Sequence, residues 1–207
     1  MLPGVVASLL SGVLLVTASG GPEPGPRGEY DLKAACLFTF AQFVTWPDTK
    51  VADSNETMVL GVIGRDPFGN AFDPVLNRRI HGRILVIKKF KGLSQRPTKD
   101  GTDDGQLAQD VAVWRKCHFV FICSSEEKEV GRILKSLEGF NVLTVGETEG
   151  FVGSGGMIGF IPGAETAAFE VNLDAARKEK LTISASVLRL AKKVVRDAAS
   201  EKRDKGS

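Results

Sequence analysis

KCHFVFICSSEEKEVGRILKSLEGFNVLTVG, from Lys116 to Gly146, reads as strand, helix, strand. Cys117 to Cys123 is apolar at nearly every position, so a strand there is buried on both faces. Behind the acidic start Glu126-Glu127, residues Val130, Ile133, Leu134 and Leu137 repeat at helical spacing, and Asn141 to Gly146 is apolar again. A helix between two such strands returns the chain so that the strands pair in parallel under helical cover.

The same alternation extends upstream. Met58 to Ile63 is an apolar run stopped by Gly64, followed by a short helix around Ala71 to Leu76 and a second run from Ile84 to Phe90. Leu107, Val111 and Trp114 then sit at helical spacing. Nearer the start, Leu32, Ala35, Cys36, Phe40 and Phe43 predict a helix with one aromatic face, ended at Trp46-Pro47 because proline disfavours helical geometry in the residue before it. Downstream the pattern changes. Met157 to Ile161 and Ala167 to Val171 are joined only by Pro162 to Thr166, which predicts an antiparallel hairpin. A final helix is expected to carry Val187, Leu188, Leu190, Ala191, Val194 and Val195 on one face. The predicted fold is α/β, with a mostly parallel central sheet flanked by helices, a C-terminal antiparallel hairpin and a final helix.

The chain has 207 residues, 43% of them apolar, enough for one sizeable core. Its 27 basic and 25 acidic residues nearly cancel, and no basic face is interleaved with aromatics, which argues against nucleic acid as a partner. Val5 to Val16 is apolar but too short to cross a bilayer, and small residues follow it. Residues 1–20 therefore read as a secretory signal peptide, although no Lys or Arg precedes the apolar run. Residues 21–28 read as a Pro/Gly linker unable to continue a helix, 29–195 as a single domain, and 196–207 as a charged flexible tail.

Chemistry-bearing patterns are sparse. Gly64 to Gly69 has half of a phosphate-loop spacing, but Asn70-Ala71 stands where Lys and Ser or Thr are needed. Asp66-Pro67-Phe68-Gly69 reads instead as a turn with Phe68 packed inward. The glycines between Gly153 and Gly156 read as backbone freedom before a strand, and Ser154 lacks the GxSxG setting of an activated nucleophile. Asp103-Asp104, in the polar stretch Lys91 to Asp110, lacks the ligand spacing of a calcium loop. His81 and His118 are the only histidines, and no CxxC or HxxxH spacing occurs, so no metal site is expected. No catalytic residue and no cofactor is assigned, and the chain does not read as an enzyme. Of the three cysteines, Cys117 and Cys123 would point to one face of an extended run about 20 Å apart, too far to bridge. Any disulfide then joins Cys36 to one of them or links two chains. The other reading is three small buried side chains.

Two candidate sites follow. Phe151, Met157, Ile158 and Phe160 place large apolar groups next to flexible backbone, and successive strand residues face opposite ways, so one set is exposed unless covered. With Trp46 they are a candidate partner or dimer surface, the alternative being that all are core. Asp66, Ser124 and Glu147 fall at the carboxyl ends of parallel strands, the usual place for a ligand crevice.

The ordered set AACLFTFAQFVTWP, VLGVIGRDPFG, HGR, KCHFVFICSSEE, VLTVGETEGFVGSGGMIGF and FEVNLDAARKEKLTISASVLRLA, from about Ala34 to Ala191, resembles the YfiR family of exported bacterial proteins. The resemblance implies a periplasmic homodimer. Such a protein binds the periplasmic sensing region of an inner-membrane diguanylate cyclase and lowers cyclic di-GMP. It also implies disulfides, which three cysteines fit incompletely, and the long polar stretch at Lys91 to Asp110 departs from the family pattern. The alternative is a periplasmic small-ligand-binding module acting on another membrane sensor such as a histidine kinase.

Overall fold

The computed structural model describes residues 26–47, 56–96, 104–164 and 166–196. The signal-peptide stretch, the linker up to residue 25, Asp103 and the tail beyond Arg196 lie outside the described residues.

In chain order the elements are α1 (Pro26–Phe43), β1 (Val44–Thr45), β2 (Thr57–Ile63), β3 (Arg79–Ile80), β4 (Arg83–Phe90), α2 (Asp104–Trp114), β5 (Phe119–Ile122), α3 (Val130–Leu137), β6 (Leu143–Gly146), β7 (Ile158–Phe160), β8 (Phe169–Asn172), α4 (Leu173–Lys178), β9 (Thr182–Ile183), α5 (Ala185–Leu190) and β10 (Lys193–Val195). The main sheet runs β10-β8-β7-β6-β5-β2-β4-β3, and β1 pairs with β9 beside it. From β4 to β7 every neighbour is parallel. β7 and β8 form the expected antiparallel hairpin, with Ile158 opposite Val171 and Phe160 opposite Phe169. A second hairpin joins β3 to β4 through His81 and Gly82, both at positive φ as a two-residue turn requires.

Alternation along the central strands divides the core into two layers. Phe119 and Phe121 of β5 pack with Leu37, Phe40 and Ala41 of α1, with Phe68 and Phe72, and with Val187 of α5. Val120 and Ile122 point the other way, into Trp114, Ile133, Leu134 and Leu137 of α2 and α3. The chain after β2 leads to β4 on one side, while the chain after β5 leads to β6 on the other. The carboxyl ends of β2 and β5 therefore flank the topological switch point.

Four expectations are corrected. α1 begins at Pro26, inside the expected linker, because proline in the first helical turn gives up an N–H that has no helical partner anyway. The final helix stops at Leu190. Ala191 is extended, Val194 and Val195 enter β10 alongside β8, and the Lys192 N–H bonds to the Phe169 carbonyl at 2.8 Å. Two consecutive β-branched valines beside an open sheet edge favour that outcome. Cys117 and Cys123 lie in opposite layers, since Cys117 precedes the strand and closes the turn after α2 through its N–H to the Trp114 carbonyl. The predicted aromatic face of α1 is divided. Phe40 joins Ala34, Leu37 and Ala41 inside, while Leu32 and Phe43 face solvent. Cys36, Cys117 and Cys123 are all free thiols.

Candidate functional site

Glu147, directly after β6, is the centre of the carboxyl edge of the sheet and is only 6% exposed. One carboxylate oxygen accepts the Ser124 N–H at 3.0 Å. The other accepts from the Lys33 ammonium at 2.8 Å and the Tyr30 hydroxyl at 3.2 Å. Lys33, 5% exposed, also meets Glu29 one helical turn earlier at 2.6 Å, and its ammonium lies 4.6 Å from the centre of the Tyr30 ring. The first turns of α1 are thereby strapped over the sheet end.

The neighbouring acids are occupied in the same way. Asp66 accepts the Phe68 N–H at 2.9 Å, fixing the expected turn, and its other oxygen pairs with Lys89. Glu126 is fully buried and accepts the Ser94 N–H at 2.9 Å and the Ser94 hydroxyl at 2.5 Å. A Cβ on Gly92 would fall 2.0 Å from the Glu126 carboxyl group, so only glycine leaves room for that carboxylate. The structure thus brings Ser124 and Glu147 together but commits Asp66 to Lys89. Both carboxylates, Glu147 and Asp66, are held by the protein's own groups. Glu126 and Lys33 were not identified from sequence. Glu126 reads there as an ordinary acidic helix start, and Lys33 sits 114 residues from its partner.

The buried charges have a titration consequence. Burial pushes the Cys123 thiol well above its ordinary range, and the negative charges of Glu147, Asp66 and Glu126 push it further. Burial, then Glu147 by charge and hydrogen bond, raises the Tyr30 hydroxyl in the same direction. Burial alone would lower the Lys33 ammonium, but the hydrogen bonds and charges of Glu147 and Glu29 outweigh it and hold it raised. A raised folded value contributes stability that is complete below the unfolded value and is lost as pH rises through the folded one. Burial raises the Cys36 thiol as well, so the expected result is a thermal midpoint that falls from about pH 8.5 upward, first through Cys123 and Cys36 and then through Tyr30 and Lys33. Cys123→Ala should flatten the first part of that fall. A midpoint independent of pH between 8 and 11, on the scale of ordinary thiol and phenol titration, would contradict this assignment.

The five residues expected at a partner or dimer surface are not on a surface. Trp46, Phe151, Met157, Ile158 and Phe160 are all at most 5% exposed. α1 covers one side of β7, with the Phe40 and Phe160 ring centres 5.9 Å apart. Phe151 covers the other, its ring lying where side chains on Gly146 and Gly156 would begin, 2.3 and 2.1 Å from the Cβ positions. The glycine-rich turn is a socket for Phe151. Trp46 is fixed by its indole N–H to the His118 carbonyl at 2.9 Å. His118 is buried, and its Nδ1 accepts the Val59 N–H at 3.1 Å, a structural role between β2 and β5.

The exposed large apolar residues gather instead around α1. Leu32 and Phe43 lie on its outward face, Leu76 follows the 3-10 turn packed against it, and Leu190 ends the adjoining α5. Phe140 is exposed elsewhere, its ring 4.2 Å from the Arg115 guanidinium. A cleft of about 280 Å³ opens between α3 and α4, with Leu134, Val142, Thr144 and Met157 at its floor and Lys135 and Lys178 on its rim.

A family model described as YfiR/HmsC-like matches residues 30–192. A comparison with curated proteins finds no match. Among solved structures, a conserved domain protein from Vibrio cholerae O1 biovar El Tor is 14% identical with a TM-score of 0.44, over 72% of this chain and 59% of that one. The ABC domain in complex with L-Trp from Streptococcus pneumoniae is 14% identical with a TM-score of 0.47, over 68% and 56%. The chain spans less than two thirds of either structure.

Proposed function

The chain belongs to the YfiR/HmsC-like family, and from that premise we propose that it is a periplasmic regulatory protein. It binds the periplasmic region of an inner-membrane diguanylate cyclase, restrains the cyclase and lowers cyclic di-GMP, and it acts as a homodimer. The observation that carries this reading is the family match across residues 30–192. The use of the buried acids supports binding over catalysis. Glu147, Glu126 and Asp66 are spent on internal partners, while the outward side of α1 presents apolar groups.

The test is cyclic di-GMP measured by mass spectrometry in the host with and without the chain. Removal should raise the nucleotide several-fold, and the rise should vanish when the partner cyclase is also removed. An unchanged level would count against the reading. A second reading, a small-ligand module serving another membrane sensor such as a histidine kinase, is favoured by the cleft between α3 and α4. It requires saturable thermal stabilisation by a periplasmic metabolite, about 2.7 kcal/mol at a hundredfold excess over Kd, and removal of that stabilisation by Thr144→Val or Lys178→Glu.

A further inference from the structure

We propose that the open edge of β4 takes an extended acidic segment of the membrane partner as an added strand. This rests on the preceding reading that a periplasmic region of a membrane protein is bound, and it names the surface and the chemistry of that region.

β3 covers only the start of β4. It pairs Arg79 with Ile84 and Ile80 with Arg83, and the Arg78 carbonyl accepts the Leu85 N–H at 3.0 Å. From there to Phe90, β4 has β2 on one side and, among the described residues, no strand on the other. The Ile84 N–H bonds to the Glu56 carbonyl and the Phe90 carbonyl accepts the Gly64 N–H, which places the backbone groups of Ile84, Val86, Lys88 and Phe90 on the β2 side. Strand backbone groups alternate sides, so Ile87 and Lys89 turn their N–H and C=O groups away from the sheet. Such a row is a template for one more strand.

Charge selects the occupant. From Pro74 to Lys99 the chain has eight basic and no acidic residues, which leaves 19 basic against 25 acidic elsewhere. Carboxylates from outside this run reach two of the eight, Asp66 pairing with Lys89 and Asp110 with Arg96. Arg78, Arg79, Lys88 and Lys91 are exposed, and none has a carboxylate partner among the described residues. Arg78 lies over the Phe38 ring, and Arg79 donates to the Gly82 carbonyl. Glu56 is at the opposite end of β4 from Lys88 and Lys91, where its carbonyl meets Ile84. At its carboxyl end the edge runs into a cleft of about 430 Å³ lined by Lys89, Lys91, Gln95 and Gln106, with the Arg96–Asp110 pair in its wall. Lysine on an edge keeps out a second copy, since two β4 strands laid antiparallel about Lys88 set lysine against lysine. A lipid surface offers no row of alternating donors and acceptors. An extended acidic segment supplies both the ladder and the charge.

The probe is a preparation of right-side-out inner-membrane vesicles from the host, which present the periplasmic face, and the readout is cosedimentation of the purified protein. The parent protein should bind these vesicles and lose binding once they are treated with protease. Lys88→Glu combined with Lys91→Glu should weaken binding about tenfold or more. Lys89→Pro and Lys89→Ala both lose the ammonium, but only proline loses the outward N–H, a loss that an edge strand tolerates. Lys89→Pro should bind about fivefold more weakly than Lys89→Ala, with the circular dichroism of both unchanged. Equal binding by these two variants, or binding unaffected by the double charge reversal, overturns the edge while leaving the membrane partner standing. Equal binding to protein-free vesicles of the same lipids assigns the site to the bilayer and overturns the inference. Slow exchange of the Lys89 amide in the isolated protein, released when Asp100, Asp103 and Asp104 are all changed to Asn, gives the edge to the chain's own acidic run and is equally contradicting. A parent protein that sediments with no vesicles overturns the preceding reading as well.

Discussion

Phe151→Ala is expected to lower the unfolding free energy by about 3–5 kcal/mol, the range for deleting a buried aromatic ring from a site that cannot collapse. Phe151 is 2% exposed and closes the second layer over the β6-β7 end of the sheet. Its socket is built by absence, since Gly146, Gly156 and Gly159 bring backbone against the ring. The reverse substitution is therefore equally informative. A Cβ at Gly156 would lie 2.1 Å from the ring, so Gly156→Ala displaces Phe151 and should destabilise by an amount of the same order, about 1–3 kcal/mol or more. Urea unfolding measures both. A loss below about 1 kcal/mol for Phe151→Ala would mean that the ring is not held as described.

Lys33→Met is expected to cost about 3–5 kcal/mol, because it leaves the Glu147 carboxylate buried with only the Tyr30 hydroxyl and the Ser124 N–H. Glu147→Gln leaves the ammonium with Glu29 alone and should cost less, since Glu29 is half exposed and Lys33 can turn toward water. Combining the two removes both buried charges, so the double variant should be more stable than the sum of the single losses implies. The same variants should strip hydrogen-exchange protection from the first turns of α1 while leaving β5 and β6 protected. Additive losses, or protection unchanged at Tyr30 and Lys33, would show that the strap does not hold α1 to the sheet.

The sheet was legible because β2, β5 and β6 bury both faces. Such runs as Met58 to Ile63 and Phe119 to Ile122 have one reading once helices alternate with them. The β7-β8 hairpin was legible from its short polar connection. Two-residue strands were not. β1, β3 and β9 carry too few positions for any period, and they form because neighbouring backbone offers unpaired partners. The inward side of α1 was misjudged because apolar residues surround the helix, and only the sheet beneath decides which of them is covered.

The site was less legible than the fold. Position in the chain puts Ser124 and Glu147 at strand ends, and the structure joins them by a hydrogen bond. The buried partner of Glu147, Lys33 from α1, comes from far away in sequence and leaves no local trace. Large apolar residues beside glycines leave two readings at Phe151 and Met157, a partner surface or core, and burial selects core. The physical reason is that glycine admits a ring where any side chain would exclude it.

The central claim is that this chain acts on an inner-membrane diguanylate cyclase from the periplasm. It is tested most directly by crosslinking the protein in its own host and identifying its partners in the membrane fraction by mass spectrometry. Recovery of an inner-membrane protein with a cyclase domain, linked through its periplasmic part, is the expected result. Recovery of a histidine kinase alone, or of no membrane protein above background, would contradict it.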